Sequence, residues 1–559
     1  MSATRRLLLL AALFTPSVLM AQTLTLAEGA PGSLRIVALD ENDPNGGDSV
    51  VLQDAEFVPI EMTGRTIAHE LDATRARRIE RNGIVRLELP NGGRVFRYRR
   101  AAGAFWGFLH VAGDGTPRVV LERAGVGPLA VDDPFADRIA IADDGQHAAV
   151  VRADGAMHVV RLDGGLFTNG RADWVVGGVD VLPLSVMLGP ACVWFQGESG
   201  SSNPVHVWRC DLTENSPVVD VSPPIAGGAD FKDQMVMSRD GSVVVFLFGP
   251  QQQQRLWRVG TVGAATVLPP GPGKYEEPGY LPEEPGEPAM LLNDDGSRLF
   301  YVDADVRDEL YLLDMTGQNP PLAMTEDAVF QPYIGVHILP KFAGSSLLIA
   351  IGDPGQMDWF RASLAPAGGT VTNLTGTGSF VSPFPAGTID PVQAASVGTR
   401  LLAVEQQAAG LTLRQIDAST GAQAPLPQGV LGIPKAGSAT AGAADLLVQT
   451  VDGDSVFAGA DGSLLFTLPP ELLLTPPVRG PQFSGTWLHL SIQFGIPVFY
   501  APQGIVSLPL EFGLEQIVMT AAGGAVLVGS TLRYLALGRF ETLVRPAATF
   551  RSVLSGAGG

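Results

Sequence analysis

Between Arg138 and Gly165 the chain reads RIAIADDGQHAAVVRADGAMHVVRLDGG, short apolar runs cut at regular distances by Asp-Gly pairs. Apolar and polar positions alternating over a short run mark a strand, and Asp-Gly supplies the positive φ that a tight hairpin turn requires. The segment is therefore predicted to be three antiparallel strands joined by hairpins. The pattern returns in QMVMSRDGSVVVFLFGPQQQQRLWRV from Gln234 and in PAMLLNDDGSRLFYVDADVRDELYLLDMTG from Pro288. Weaker versions begin at Val186, His337, Ser396, Thr440, Gln482 and Gln516.

Units placed in this way start about 47 residues apart, and short strands repeating at that period are the sign of a β-propeller with four-stranded blades. A parallel β-helix would repeat at much shorter intervals, and a sandwich would not repeat. The fold expected is thus an all-β propeller. Propellers usually have four to eight blades, and nine units can be counted, so eight blades are expected, with seven to nine or more left open. One unit would then be an irregular piece of a neighbour, or the ring would be large, or there would be two rings. Asn82 to Glu122 also reads as four strands, an extra blade or a set of strands that closes the ring, so the propeller is placed at residues 82–559. Residues 22–81 are read as an N-terminal extension in which TIAHELDATRARRIER, ending at Arg81, suggests a short helix.

The segments IADDGQHAAVV, MSRDGSVVVFL and LNDDGSRLFYV, each followed by an ending such as RLDGG, WRVG or LLDMTG, resemble the SxDGxxLxF…xLYxxD units of TolB-like propellers and of the propeller domain of prolyl-oligopeptidase relatives. The resemblance covers the repeats only and implies a fold far more than a function. TolB-type proteins are exported and bind other proteins, which is the role the resemblance suggests. The N-terminal stretch does not match their small α/β domain. The peptidase relatives carry a hydrolase domain with a G-x-S-x-G elbow, and this sequence contains no G-x-S-x-G.

The first residues change the picture of where the protein works. Arg5 and Arg6 precede the apolar run Leu7 to Phe14, and Ala21 offers a small residue for cleavage, the arrangement of an export signal over residues 1–21. The apolar stretch is too short for a membrane helix, which needs about 20 residues, and no cysteine precedes Cys192 to carry a lipid. A periplasmic or secreted protein that is not an integral membrane protein is expected. Scarce lysine (Lys232, Lys274, Lys341 and Lys435) and abundant Ala, Gly and Pro suggest a GC-rich bacterial source. Gly at 67, Pro at 43 and only 17% charged residues suit a turn-rich β protein. The formal net charge of −20 argues against nucleic acid as a partner. Within this acidic chain, Arg65 to Arg100 holds ten arginines against Glu70, Asp72, Glu80 and Glu88. These arginines are expected at solvent-facing strand positions such as Arg97 and Arg99.

Cys192 and Cys210 flank the turn Gly197 to Pro204. If their strands pair about Ser201, the two cysteines stand opposite one another, as do Trp194 and Trp208. In an oxidising compartment a disulfide is expected.

Catalytic signatures are weak. GDSV at Gly47 to Val50 and the Asp144/His147 pair mimic pieces of an esterase, but the pair sits at the hairpin of the best repeat, and GDSV recurs at Gly453 to Val456, read as another turn. The seven histidines form no zinc motif. No cofactor is expected apart from calcium, for which Asp40, Asn42, Asp43, Asn45 and Asp48 crowd oxygen donors into one loop outside the EF-hand register. Asp303, Asp305 and Asp308 invite the same comparison. The insertion PPGPGKYEEPGYLPEEPGEP, Pro269 to Pro288, is too rich in proline and glutamate for a core. Its Tyr275, Glu276, Glu277, Tyr280, Glu283 and Glu284 are the expected contacts for a protein or cell-envelope partner. The function expected is an exported, non-catalytic scaffold binding through blade loops. The alternative is a carbohydrate-active lyase or glycosidase with carboxylates gathered at the axis.

Overall fold

In the computed structural model, the residues described are strands and turns between Thr23 and Leu554, excluding among others 1–22, 64–74, 125–137, 269–289, 375–395 and 468–481; side chains are described chiefly between Val50 and Leu374. All of the regular elements among them are strands.

Seven of the nine repeats become antiparallel sheets of their own and units 6 and 7 share one eight-stranded sheet; the units are numbered here from unit 1 at Arg138 to unit 9 at Leu514. Unit 1 runs Arg138–Ile141, His147–Val151, Met157–Arg161, Asp173–Val176, each strand paired to the next. Unit 3 (Met235–Met237, Val243–Phe248, Arg255–Gly260, Thr266–Val267) and unit 4 (Met290–Leu292, Arg298–Asp303, Glu309–Asp314, Leu322–Ala323) repeat the order. Unit 2 splits its first strand in two, Asp180–Val181 and Met187–Leu188, both paired with Cys192–Glu198. Units 6 and 7 are linked by one bridge, Val430 to Thr450.

The hairpin chemistry read from the sequence is realised. Gly145, Gly241 and Gly296 hold φ of 66°, 74° and 70°, and the aspartate before each glycine accepts a hydrogen bond from the backbone two residues on: Asp144 from Gln146, Asp240 from Ser242, Asp295 from Ser297. These are Asx turns, which bind the corner to its own side chain.

Neighbouring units pack face to face. In unit 2, Val193 and Phe195 face unit 1 with Val159 and Val176, whereas Cys192 and Trp194 face unit 3 with Val244 and Phe246. Further apolar clusters fill the seams between units 3 and 4 and between units 4 and 5. Middle strands buried on both faces explain continuous apolar runs such as Val243–Phe248, all six residues buried. First strands of successive units touch, Met235–Met237 with Met290–Leu292 and the latter with His337–Ala343, so first strands lie innermost. Four-stranded sheets packed face to face around their first strands make this an all-β propeller.

Two expectations for the N-terminal region are corrected. Residues 22–81 are no separate extension: Thr23–Glu28, Ser33–Asp40 and Ser49–Gln53 form a sheet whose fourth strand is Phe550–Leu554 from the other end of the chain. The ring-closing pairing is here, not at Asn82 to Glu122. That later segment supplies the strands Ile84–Glu88, Arg94–Arg100, Phe105–Val111 and Pro117–Ala124 of the next sheet, which Ala55–Val58 and Arg77–Arg81 join. Arg77–Arg81 is thus strand where a helix was expected; the earlier part of that stretch lies outside the described residues. Sheet pairing with Ile84–Glu88 decides the conformation over the weak local preference for helix.

Candidate functional site

At the innermost hairpins the turn aspartate is engaged with its own backbone, and the residue before it is also charged. That residue is Asp143 in unit 1, Arg239 in unit 3 and Asp294 in unit 4. Arg75 completes the set, arriving just ahead of the strand Arg77–Arg81. Its Nη1 donates to Asp143 at 3.0 Å and its Nη2 to Asp294 at 2.5 Å, so one guanidinium ties together hairpins from units 1 and 4. Arg239 stands 3.5 Å from the same Asp294 carboxylate, and its backbone N–H donates to the Asp294 carbonyl at 3.0 Å. The side chains of Arg75 and Asp143 are each 7% exposed, that of Asp294 60%, so the cluster is sealed on one side and open on the other.

Earlier in the same region, Met62 and Thr63 also meet the repeats. Met62 bridges Ile139 of unit 1, Thr63 N–H donates to the Ile139 carbonyl, and Thr63 Oγ1 accepts from Val186 N–H of unit 2. Chemically, a guanidinium stays protonated near neutral pH and does not exchange protons in a reaction. Two arginines facing two carboxylates make a paired, nearly neutral arrangement that fixes the geometry of the inner hairpins.

The disulfide expected between Cys192 and Cys210 is not formed in this structure. Cys192 pairs with Asp211 and Cys210 with Val193, one residue away from the register expected about Ser201. A shift of one residue turns every side chain to the other face, so Cys192 points to unit 3 and Cys210 to unit 1. Both thiols are free and buried. Burial pushes both up, Cys210 to about 11. Trp194 correspondingly faces Arg209, which lies over its ring at 5.5 Å, and Trp208 pairs with Phe195.

Among the described arginines between Arg65 and Arg100, Arg78 and Arg99 keep exposed side chains, as expected of Arg99, but others turn inward. Arg75, Arg86 and Arg94 are buried. Arg86 donates to Glu88 at 2.8 Å, Arg100 donates to Glu122, Arg99 pairs with Glu56, and Arg97 lies 5.9 Å from the centre of the Trp106 ring. Tyr98 donates to Glu122 at 2.7 Å beside them. Glutamates of the same sheet answer these arginines, within one strand for Arg86 and Glu88 and between strands for Arg99 and Arg100, a pattern the segment count could not reveal.

The esterase-like pair is separated in role: Asp144 holds its turn, while burial lowers the pKa of half-buried His147. The second GDSV lies in the strand Gly453–Phe457 rather than a turn. Asp40 ends the strand Ser33–Asp40 opposite Thr23, and Asp303 ends Arg298–Asp303 opposite Glu309. Asn42, Asp43, Asn45, Asp48, Asp305 and Asp308 lie outside the described residues, as do Tyr275, Glu276, Glu277, Tyr280, Glu283 and Glu284. Among the described residues no group of three or more metal-ligating side chains occurs, and no helix is long and apolar enough to cross a membrane.

The Arg75 cluster was missed in the sequence because its members lie far apart along the chain. The one legible signal was positional: Asp143, Arg239 and Asp294 occupy equivalent places in the three clearest repeats.

No family model matches the chain, and no curated protein matches it. Solved structures that resemble it include dihydro-heme d1 dehydrogenase NirN in complex with DHE, at 13% identity, TM-score 0.32, covering 73% of this chain and 74% of that one. Another is a puromycin-hydrolyzing peptidase of Mycobacterium tuberculosis, at 12% identity and TM-score 0.31, covering 72% and 61%. A third is a putative TolB from Agrobacterium tumefaciens, at 12% identity and TM-score 0.26, covering 46% and 83%. Likenesses this loose transfer no site and no activity, and the propeller assignment rests on the sheets themselves.

Proposed function

We propose that the chain is an exported propeller scaffold that binds a protein or cell-envelope ligand through the loops of its blades. The observation that carries the reading is the Arg75 cluster: the charged groups at the inner hairpins are engaged with one another across units 1, 3 and 4, as in a frame being held. Rigid frames that display variable connections are suited to recognition. Within this reading the insertion Pro269 to Pro288 is the principal contact, with Tyr275 and Tyr280 as anchors and the paired glutamates as an acidic rim. A periplasmic or secreted setting follows from the signal-like residues 1–21.

The test is affinity capture from a cell-envelope extract, comparing the wild-type protein with a deletion of residues 269–288. Loss of a saturable partner on deletion supports the reading. Capture that is unchanged, or absent with both proteins, overturns the role of the loop.

One observation favours the second reading, a carbohydrate-active enzyme: Asp143 and Asp294 meet at one end of the innermost strands although they come from different units. That reading requires glycan cleavage by the wild type that Asp294→Asn abolishes.

A further inference from the structure

The seam between units 1 and 2 opens outward into a groove of about 490 Å³, lined by residues of the strand Asp173–Val176, the turn that follows it, and Trp208 with the segment Ser216 to Val218. Two tryptophans form its walls. Trp208, on the strand His206–Asp211, is pinned by its indole N–H, which donates to the Gly197 carbonyl at 3.0 Å. Trp174, on the last strand of unit 1, is half-buried with its inner edge against the same seam cluster, and its indole N–H has no partner among the described residues. Both tryptophans, one from each unit, line the groove.

Gly177 and Gly178 also line it. Gly178 has φ of 85°, which accounts for glycine there. Gly177 is different: its φ is outside the left-handed region, and a Cβ built on it would meet nothing within 4 Å. Neither backbone conformation nor crowding within the protein calls for glycine at 177. What its missing side chain preserves is open space and bare backbone in a lining that also holds two indoles.

The dimensions and charge select the occupant. The volume falls in the range of roughly 300–1,000 Å³ that holds a small molecule, and its ten lining residues fall well short of the roughly 20–30 residues a side of a stable protein interface. Among the described residues no lining residue carries a charge, while Asp180 follows the lining residue Val179 and Asp220 lies two residues after Val218 in sequence, Asp220 engaged with His206 at 2.7 Å. Anions are therefore repelled, and the lining itself offers a cation no carboxylate. A ring with a flat C–H face and a rim of hydroxyls meets both demands: indole faces cover the C–H face, and the Trp174 N–H and exposed glycine backbone meet hydroxyls. We propose that this groove is a subsite for a neutral glycan, holding one or two pyranose rings between Trp174 and Trp208. The proposal does not involve the Pro269 to Pro288 insertion, so it stands or falls independently of the scaffold reading.

The test uses the full protein labelled with 5-fluorotryptophan and followed by fluorine NMR, the Trp174 and Trp208 resonances being assigned with Trp174→Phe and Trp208→Phe. Maltotriose, cellotriose and chitotriose are the neutral probes, trigalacturonic acid and choline the charged ones. At least one neutral probe is expected to shift both resonances saturably while Trp194 and Trp257, in the next seam, stay fixed. Gly177→Leu is expected to weaken that response at least tenfold with an unchanged melting temperature. Should Gly177→Leu fold poorly, Trp174→Ala, read at Trp208, serves instead. No saturable shift with any neutral probe, an undiminished response in the variant, or a response confined to the charged probes overturns the proposal.

Discussion

The aspartates that recur at the ends of third strands illustrate how a residue that looks chemical can be structural. Asp314 closes the corner after Glu309–Asp314 by accepting from Thr316 N–H at 2.9 Å, Thr316 Oγ1 at 2.6 Å and Asn319 N–H at 3.1 Å. It also accepts from the Asn319 amide and from Arg298 Nη1, the latter at 2.8 Å. Its side chain is 0% exposed, so losing the charge leaves Arg298, itself 15% exposed, facing donors only. Asp314→Ala is expected to cost about 3 kcal/mol of unfolding free energy, measured by denaturant titration, as for breaking a buried charged pair. The pH dependence has a definite sign. Burial alone would raise this carboxyl, but the hydrogen bonds from Thr316 and Asn319 and the Arg298 charge hold it below its ordinary value. A depressed folded value contributes stability that is present above the unfolded value of about 3.9 and is lost as pH falls through the folded one. The gap between wild type and Asp314→Ala should therefore be full at pH 7 and shrink below about pH 4; a gap independent of pH would remove the carboxylate from this role.

At the scale of the element, register decides what composition cannot. The segment from Cys192 to Asp211 was legible as two antiparallel strands, and the two strands pair. Its cysteines nevertheless sit on opposite faces, because pairing Val193 with Cys210 rather than Cys192 with Cys210 reverses the outlook of the whole strand. Sequence symmetry about the turn fixed only the approximate pairing; the apolar demands of two different seams, Val193 and Phe195 on one side and Cys192 and Trp194 on the other, choose between neighbouring registers. Alkylation after denaturation without reductant should label both thiols, read as intact mass. Val193→Cys places a cysteine directly opposite Cys210 and should form a bridge there, leaving Cys192 as the single labelled thiol. A wild-type protein that resists labelling until reduced would overturn this register. The repeats were legible for a related reason. Asp-Gly turns announce hairpins locally, whereas Arg77–Arg81 could be recognised as strand only by knowing that Ile84–Glu88 lies beside it.

For the whole molecule the decisive pairing joins the two ends of the chain, and no local pattern encodes it. Thr23–Glu28 lies between Ser33–Asp40 and Phe550–Leu554, with Thr25 opposite Leu554 and Leu26 opposite Val553. The last strand also touches Leu514–Thr520 of unit 9, so it bridges the final repeat to the N-terminal sheet. Without it, one side of Thr23–Glu28 becomes an unpaired edge, and the seam beside unit 9 loses its covering strand. Arrays in which each unit touches only its neighbours respond to such a cut locally before they respond globally. Deleting residues 550–559 is accordingly expected to speed amide exchange at Thr25 to Glu28 and along Leu514–Thr520 by at least an order of magnitude. Exchange in Val243–Phe248, buried between units 2 and 4, should change far less. Hydrogen-exchange mass spectrometry resolves the two regions in one experiment. Equal acceleration everywhere would mean that the sheets melt as a single cooperative body whose stability depends on the closing strand, and unchanged exchange at Thr25 to Glu28 would mean that the ends are not joined in solution.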